Sequence, residues 1–288
     1  MNERLGILLM LISMLSFAIS DAFVKASEGQ LSLGQSIFAL GILGVLFFGI
    51  YARILGQSAF PKSLLEPIVL FRGFSEIFAT GFIFSAIVYG SLTKTISIHQ
   101  LQPVLVIFGA ILFFKERVGW RRWVAISIGF ASVLLIIRPG VSGWDYTTLL
   151  AFMGAIGLAA RDLSTKAIGP HVSSVQLSVI GYLALIPLGV ALLIYEGGPW
   201  WAGWDKFPII MGISVFSMIA YLSITQSVRL ADFGAVMPFR YSRLIFAYMI
   251  GVFWFGETLD SYTVVGAIGI LLSGLFVIIR THPREGGA

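Results

Sequence analysis

The chain has 288 residues, of which 58% are hydrophobic and only 11% are charged. Soluble domains carry about 25% charged residues, so this composition excludes a soluble globular protein and indicates an integral membrane protein. Cysteine is absent, which excludes disulfide and thiolate chemistry. The formal net charge of +5 comes from basic residues in the short segments between apolar runs. We interpret these residues as topology signals and expect no nucleic-acid partner.

Ten apolar runs have the roughly 20 residues that a helix needs to cross a bilayer. They are continuously apolar and do not alternate, which excludes the strands of a membrane barrel. The chain is therefore predicted to be an all-α, multi-pass protein of the inner (cytoplasmic) membrane. The predicted spans are residues 4–25, 31–53, 64–89, 95–114, 118–138, 147–167, 173–195, 206–228, 233–255 and 261–280.

Lysine and arginine residues predict the orientation of these spans. Twelve of those near span ends, including Arg161, lie on the side of the N terminus, and four lie on the opposite side. Cytoplasmic loops carry the excess of basic residues, so both termini are predicted to lie in the cytoplasm.

One short pattern occurs twice. Asp21 and Lys25 close the first apolar run in the form Asp-x-x-x-Lys-Ala, and Asp162 and Lys166 repeat this form 141 residues later. Residues 113–116 and 254–257 resemble each other at the same spacing. The chain is therefore predicted to be a tandem duplication.

The two predicted halves are residues 1–140 and 141–288. Each half has five spans, an odd number, so the second half would enter the membrane from the opposite side. Inverted repeats of this kind are typical of secondary transporters. The four charged residues of the repeated pattern would then lie at opposite faces of the membrane as gate residues: Asp21, Lys25, Asp162 and Lys166.

Ionisable residues inside the spans are the strongest indication of a substrate site, because a charge near the bilayer centre costs ~2.5–3.5 kcal/mol or more. Arg72 and Glu76 lie one turn apart in the third span. They could form a structural pair that neutralises itself. Alternatively, Arg72 could recognise an anion or Glu76 could take up a proton at a cavity. Both alternatives point the pair toward the protein interior.

Arg240 and Arg243 lie in the ninth span, with Tyr241 between them. Arginine can bind a carboxylate with two hydrogen bonds. At the repeat spacing, His99 and Gln102 of the fourth span correspond to Arg240 and Arg243. Equivalent positions of an inverted repeat face one another, so these four side chains are predicted to line one cavity. The alternatives are a packing role for the arginines and an interfacial hydrogen bond for His99.

Spans 3 and 8 carry aromatic and hydroxyl side chains at helical spacing. Phe78 and Phe82 are predicted to contact substrate from span 3, and Ser214 and Tyr221 from span 8. Aromatic rings with a few hydroxyl groups suit an amphipathic organic solute. The alternative is that the phenylalanines face lipid or the helix core.

Several motifs resemble those of a known family: Phe71-Arg72-Gly73, Pro103, Lys115-Glu116-Arg117, Arg138-Pro139-Gly140, Met237-Pro238-Phe239-Arg240-Tyr241 and Phe255-Gly256-Glu257. The chain is similar over nearly its whole length to the ten-helix branch of the drug/metabolite transporter superfamily, which is built from two EamA-type repeats. The resemblance implies a carrier, and the aromatic amino-acid exporters are among the similar proteins. Other similar proteins take up adenosylmethionine-like or riboflavin-like compounds, so direction and substrate stay open.

The sequence therefore predicts a secondary transporter that works by alternating access. Its partners would be the lipid bilayer and an amphipathic small molecule, most simply an exported amino acid such as an aromatic one. Import of a nucleoside-like metabolite is the alternative, and an intramembrane enzyme is a remote one. No phosphate-binding loop of the G-x-x-x-x-G-K-[ST] type occurs, which argues against ATP-driven transport. We expect no catalytic residue, metal or cofactor, and a monomer that encloses its own pathway.

Overall fold

The computed structural model describes residues 3–114, 145–169, 171–230, 237–258 and 260–279, together with residues 124, 127, 128, 131, 132 and 134–136. These residues contain no strand, which confirms the all-α prediction. Their α-helices are α1 Glu3–Ala26, α2 Leu33–Ile54, α3 Pro67–Tyr89, α4 Leu92–His99, α5 Gln102–Phe114, α6 Tyr146–Ala167, α7 Ser174–Glu196, α8 Phe207–Leu230, α9 Ser242–Phe255 and α10 Ser261–Ile279.

Five of the described helices are long and apolar enough to cross a membrane by length and composition, namely α1, α2, α3, α7 and the segment Trp204–Ser227 that includes most of α8. The described residues within the predicted span 118–138 are also helical. The motifs at 115–117 and 138–140 lie outside the described residues.

The fourth predicted span is interrupted, which corrects the prediction of one continuous helix. Helix α4 ends at His99, Gln100 and Leu101 form a turn, and α5 begins at Gln102. Pro103 explains the interruption, because proline has no N–H to donate to the carbonyl of His99 in a continuous helix.

The ninth predicted span is interrupted as well. A 3-10 helix covers Met237–Tyr241, and α9 begins at Ser242. The start of this predicted span, residues 233–236, lies outside the described residues. The turn at Gln100 and Leu101 lies 141 residues before Tyr241 and Ser242, where the 3-10 helix meets α9, and this is the spacing of the repeated pattern.

The helices pack in pairs. Replacing each helix of a pair by its equivalent in the other half gives a second pair that also packs together. Helix α2 packs along α7, its own counterpart. Helix α1 packs along α8, and the exchanged pair, α6 with α3, packs in the same way. Helix α1 also contacts α9, and correspondingly α6 contacts α4 and α5.

The helix caps repeat this relation in atomic detail. Ser32 and Gln35 form a capping box at the start of α2, and Ser173 and Gln176 form one at the start of α7. In the first box, the amide of Gln35 donates to the carbonyl of Pro199 at 2.8 Å. In the second, the amide of Gln176 donates to the carbonyl of Ser58 at 2.9 Å. Every residue in one set lies 141 positions from its counterpart in the other.

At one end of the bundle, polar contacts join the end of α1 to the end of α3 and the start of α4 to the start of α6. The ammonium group of Lys25, near the end of α1, donates to the carbonyl of Gly90 after α3 at 2.7 Å. Lys94, in the first turn of α4, forms an ion pair of 3.2 Å with Asp145, the N-cap of α6. We call this the outer end, because the sequence predicts that it faces away from the cytoplasm.

Asp145 is held as an anion at the outer end. Partial burial raises the pKa of its carboxyl, but hydrogen bonds from Thr147 and Thr148, together with the charge of Lys94, outweigh burial and lower the pKa to about 2. The carboxylate therefore caps α6 throughout the physiological pH range.

Glycine allows the close approach of α2 and α7. A Cβ atom at Gly41 would lie 3.1 Å from both the backbone nitrogen of Ile186 and the carbonyl oxygen of Tyr182. A Cβ atom at Gly49, two turns further along α2, would meet nothing within 4 Å. Small residues at such crossings are a general device for packing membrane helices.

We therefore expect Gly41→Ala to destabilise the protein by about 1–3 kcal/mol, because backbone atoms of α7 must move to admit the methyl group. Gly49→Ala on the same helix is the matched control, and alanine's helix propensity should leave its stability unchanged or up to ~1 kcal/mol higher. Thermal unfolding of the purified variants in detergent measures both effects. Equal unfolding midpoints for the two variants would contradict the packing described here.

Candidate functional site

Two interrupted helices meet at the centre of the molecule. His99 and Gln102 flank the break between α4 and α5, while Arg240 and Arg243 flank the junction between the 3-10 helix and α9. Helix ends leave backbone N–H and C=O groups without helical partners. Interrupted helices at corresponding positions of two repeats are the usual location of a substrate site in secondary transporters.

A cavity of about 140 Å³ lies between the halves at this level. The four polar side chains at the interruptions all line it, as the repeat spacing predicts. Helices α1, α2, α3, α6, α7 and α8 complete the wall. The other lining residues are Met14, Phe17, Ser20, Asp21, Leu40, Glu76, Thr80, Ile83, Phe84, Gln100, Leu158, Ser178, Gly181, Tyr182, Leu185, Ser217, Tyr221, Ile224 and Arg161.

Arg161 of α6 is the most connected charge in the cavity. Its guanidinium group donates to one oxygen of Asp162 at 3.0 and 3.1 Å. It also donates to Glu76 at 3.3 Å and to the hydroxyl of Tyr221 at 3.1 Å. Tyr221 in turn donates to the same oxygen of Glu76 at 3.0 Å. Arg161 therefore joins α3, α6 and α8 through one planar group.

The two aspartates of the repeated pattern occupy equivalent positions with different partners. Asp21 accepts two hydrogen bonds from Arg243 of α9, the shorter of them 2.6 Å long. Asp162 accepts a hydrogen bond from the amide of Gln102, the residue equivalent to Arg243. Arg240 lies 3.6 Å from the same oxygen of Asp162. Each aspartate thus binds the interrupted helix of the opposite half.

Arg72 and Glu76 form the one-turn pair predicted from their spacing, with 3.8 Å between their nearest charged atoms. Arg72 does not line the cavity. It lies behind Glu76, where it donates to Thr165 at 3.1 Å and to the carbonyl of Leu177 at 2.9 Å. Gly181 gives this pair its space, because a Cβ atom there would lie 3.3 Å from both side chains.

Two residues of the cavity wall each have one buried polar atom without a hydrogen-bond partner among the described residues. They are the second carboxylate oxygen of Glu76 and Nδ1 of His99, whose residues are 5% and 8% exposed. A buried polar atom without a partner costs about 1–3 kcal/mol. The unbonded oxygen of Glu76 still lies 3.8 Å from the guanidinium group of Arg72, so of these two atoms only Nδ1 of His99 has neither a hydrogen bond nor an ion pair within the described residues.

Aromatic rings form one side of the cavity. Tyr221 packs against Phe17 and Tyr182, with ring centroids 5.7 and 5.4 Å apart. The guanidinium carbon of Arg243 lies 4.8 Å from the ring centre of Phe17. Tyr182 and Ser217 are hydrogen-bonded at 2.8 Å. This side offers flat apolar surface with hydroxyl groups at its edges.

Charge around the cavity is not balanced. In the part of the chain that the structure describes, four arginines and three carboxylates line or adjoin it, which leaves one excess positive charge. They are Arg72, Arg161, Arg240, Arg243, Asp21, Glu76 and Asp162.

The structure places some predicted substrate residues away from the cavity. Phe78 and Phe82 pack against each other, with ring centroids 4.5 Å apart, on a half-buried face of α3. Tyr241 is buried beside Ile98 and Leu101. Ser214 is fully buried, and no described residue forms a hydrogen bond with its hydroxyl. None of the four predicted residues belongs to the cavity wall, and their role in binding stays a prediction.

The predicted gate pair Asp21–Lys25 is not formed. Asp21 binds Arg243, while Lys25 binds Glu28 at 2.8 Å and the end of α3. The side chain of Lys166 lies outside the described part of the chain.

Sequence reasoning missed Arg161, Tyr182 and the whole contribution of α7. Arg161 was counted as a topology signal because it stands near a span end. Its position immediately before Asp162, inside the repeated pattern and at the place of Ser20, is the signal that could have revealed it. Tyr182 carries no comparable signal, because it lies in an otherwise apolar helix.

A helical membrane bundle with a polar cavity between two related halves is an architecture typical of transport proteins. The comparison with known families makes this specific: a model of the EamA-like transporter family matches residues 4–138 and again residues 146–279. The chain belongs to that family, within the drug/metabolite transporter superfamily, and is a multi-pass protein of the bacterial cytoplasmic membrane.

Individual relatives differ in the solutes that their names give. The chain is 25% identical to a riboflavin transporter of Vibrio cholerae over 94% of this chain and 92% of the relative. It is 23% identical to an S-adenosylmethionine uptake transporter of Rickettsia prowazekii, over 96% and 95%. It is 20% identical to a pseudopaline exporter of Pseudomonas aeruginosa, over 93% and 94%. The structure is also similar to a crystal structure, over 98% of this chain and 99% of the other chain. The TM-score is 0.65 at 15% sequence identity, which supports the fold.

We expect removal of one partner of the buried Asp21–Arg243 pair to be strongly destabilising. Asp21→Ala should destabilise the protein by about 3–5 kcal/mol, since it leaves Arg243 buried without its partner. Glu28→Ala is the matched control at an exposed ion pair, where the effect should be about 0–1 kcal/mol. Thermal unfolding in detergent measures both. The double variant Asp21→Ala/Arg243→Ala should recover part of the loss, and purely additive effects would contradict the pairing.

Proposed function

We propose that this protein is a secondary carrier that exports amino acids, in particular aromatic ones, by alternating access and without chemical change of the solute. The observation that carries the proposal is the composition of the cavity wall. Arginine side chains and an excess positive charge suit a carboxylate. The carboxylate of Glu76 on the cavity wall suits a cationic group such as an ammonium, and the rings of Phe17, Tyr182 and Tyr221 suit an aromatic side chain.

The size of the cavity supports a small solute. Its volume of about 140 Å³ is well below the roughly 300–1,000 Å³ of pockets for drug-sized ligands. A single amino acid fits such a volume better than a flavin or a nucleoside conjugate. The described cavity is lined by residues from both halves of one chain, which supports a monomer as the transporting unit.

Import of a nucleoside-like metabolite is the second candidate. It is favoured by the names of the relatives in Vibrio cholerae and Rickettsia prowazekii. The low identity of these relatives leaves the residues that contact solute free to differ.

The two halves support a mechanism in which access alternates. Residues 1–140 and 141–288 would form inverted repeats with both termini in the cytoplasm. Asp21–Arg243 and Asp162–Gln102 would be the two equivalent contacts that open in turn. Arg161 and Arg240, which both bind Asp162, would move with the second contact.

Transport by the purified protein in liposomes tests the function. Labelled phenylalanine or tryptophan should show saturable flux without ATP, and should exchange against the same unlabelled amino acid on the other side. Riboflavin and S-adenosylmethionine serve as competitors and as labelled substrates in parallel. Saturable flux of either of these, with none of the amino acids, would establish the second candidate in place of the first.

We expect Arg240→Ala and Arg243→Ala to abolish this flux, because each removes a charge from the cavity wall. Arg53→Ala, at an exposed arginine of α2, is the matched control and should transport normally. Size-exclusion chromatography and thermal unfolding check that the variants are folded. The further variant Arg243→Lys keeps a positive charge beside Asp21. Normal flux in both cavity variants would contradict the site.

A further inference from the structure

Glu257 belongs to one of the repeated motifs but has no contact with the cavity. It lies just after α9, and its carboxylate accepts four hydrogen bonds from the beginning of α4. The donors are the backbone N–H groups of Leu92 and Thr93, at 2.7 and 3.0 Å, and the hydroxyls of Ser91 and Thr93, at 2.9 and 2.6 Å. No other described residue contributes to this group of bonds, which we call the Glu257 clasp.

The backbone of α9 holds Glu257 in place for these bonds. Gly256 ends the helix in the left-handed conformation, with φ of 63°, and the N–H of Glu257 donates to the carbonyl of Gly251 at 2.9 Å. A Cβ atom at Gly251 would lie 3.0 Å from a carboxylate oxygen of Glu257 and would collide with Thr93. Glycine at both positions therefore lets α4 approach α9 closely.

The clasp is chemically strong for a contact between two helices. A carboxylate at a helix N-terminus satisfies N–H groups that have no helical partner and interacts favourably with the helix dipole. Hydrogen bonds to a charged group are about twice as strong as neutral ones. One further hydrogen bond, 2.7 Å long between Ser97 and the hydroxyl of Tyr248, joins the same two helices a turn further in.

The position of the clasp connects it to the cavity. Helix α4 has eight residues, from the clasp at its start to His99 on the cavity wall. Helix α9 begins at Ser242, so Arg243 lies in its first turn, and the helix ends beside the clasp. The clasp therefore fixes the outer ends of the two helices whose inner ends carry the polar groups of the cavity.

We propose that the Glu257 clasp controls access to the cavity from the outer end. While it is closed, α4 and α9 stay together and the cavity is shut on that side. It must open when the cavity is exposed there. The proposal rests on the alternating-access carrier proposed above, and it gives Glu257 a positioning role without contact to the solute.

The absence of cysteine from the chain allows a direct test. In a Thr80→Cys background, the one thiol of the protein lies on the cavity wall. A membrane-impermeant maleimide applied to intact cells reports access from the outer side, and the same reagent on inside-out vesicles reports access from the inner side. Glu257→Gln should raise outer labelling about tenfold, which corresponds to ~1.4 kcal/mol at 25 °C, and should lower inner labelling.

Two further variants keep this test decisive. Thr93→Val removes the 2.6 Å hydrogen bond of the hydroxyl but keeps every charge of the chain and nearly the same side-chain shape. Labelling should therefore change in the same direction by a smaller factor. Glu28→Gln makes the same substitution at an exposed carboxylate of the outer end and should leave labelling unchanged. Outer labelling that does not change in both Glu257→Gln and Thr93→Val would overturn the proposal.

Transport assays on the same variants separate the two proposals. A change in labelling without flux of any tested solute would uphold the clasp and overturn the proposed substrate. Normal flux with unchanged labelling would overturn the clasp and uphold the carrier.

Discussion

A charge within the bilayer must be compensated, and this requirement organises the centre of the protein. Arg161 is bound by carboxylates of α3 and α6, and Arg243 by Asp21 of α1. Two of these bonds cross from one half of the chain to the other, so neither half can neutralise its charges alone. In the carrier proposed above, a charged solute that competes with one of these internal partners would weaken a contact between the halves. Electrostatics would then couple binding to the relative position of the halves.

The fold could be predicted from the sequence to a large extent, because a bilayer permits few solutions. Long apolar runs must be helices, and the recurrence of Asp21 and Lys25 as Asp162 and Lys166 indicated the duplication. The interruption at Gln100 was missed, since a proline in a membrane helix can either kink or break it. Which of these occurs depends on whether neighbouring helices satisfy the freed backbone groups, and their positions are not written in local sequence.

The site was predictable where the repeat related one residue to another. His99, Gln102, Arg240 and Arg243 follow from their equivalent positions and line one cavity. Other residues depended on helix rotation, which an evenly apolar helix does not reveal. Phe78 and Phe82 therefore lie on another face of α3, and Tyr182 of α7 went unnoticed. Asp21 could pair with Lys25 by spacing alone, but Arg243 offers two hydrogen bonds inside the protein, whereas Lys25 reaches the polar outer end.

The matching caps at the starts of α2 and α7 bear on the origin of the duplicated chain. The contact from Gln35 to Pro199 and the contact from Gln176 to Ser58 are the same contact made twice, at opposite ends of the bundle. A symmetric pair of identical chains makes each of its contacts twice. A five-helix ancestor that inserted in both orientations could thus have joined an upside-down copy of itself with side chains it already possessed. Fusion of two such copies would free each position to diverge, and the equivalent positions 102 and 243 now hold glutamine and arginine.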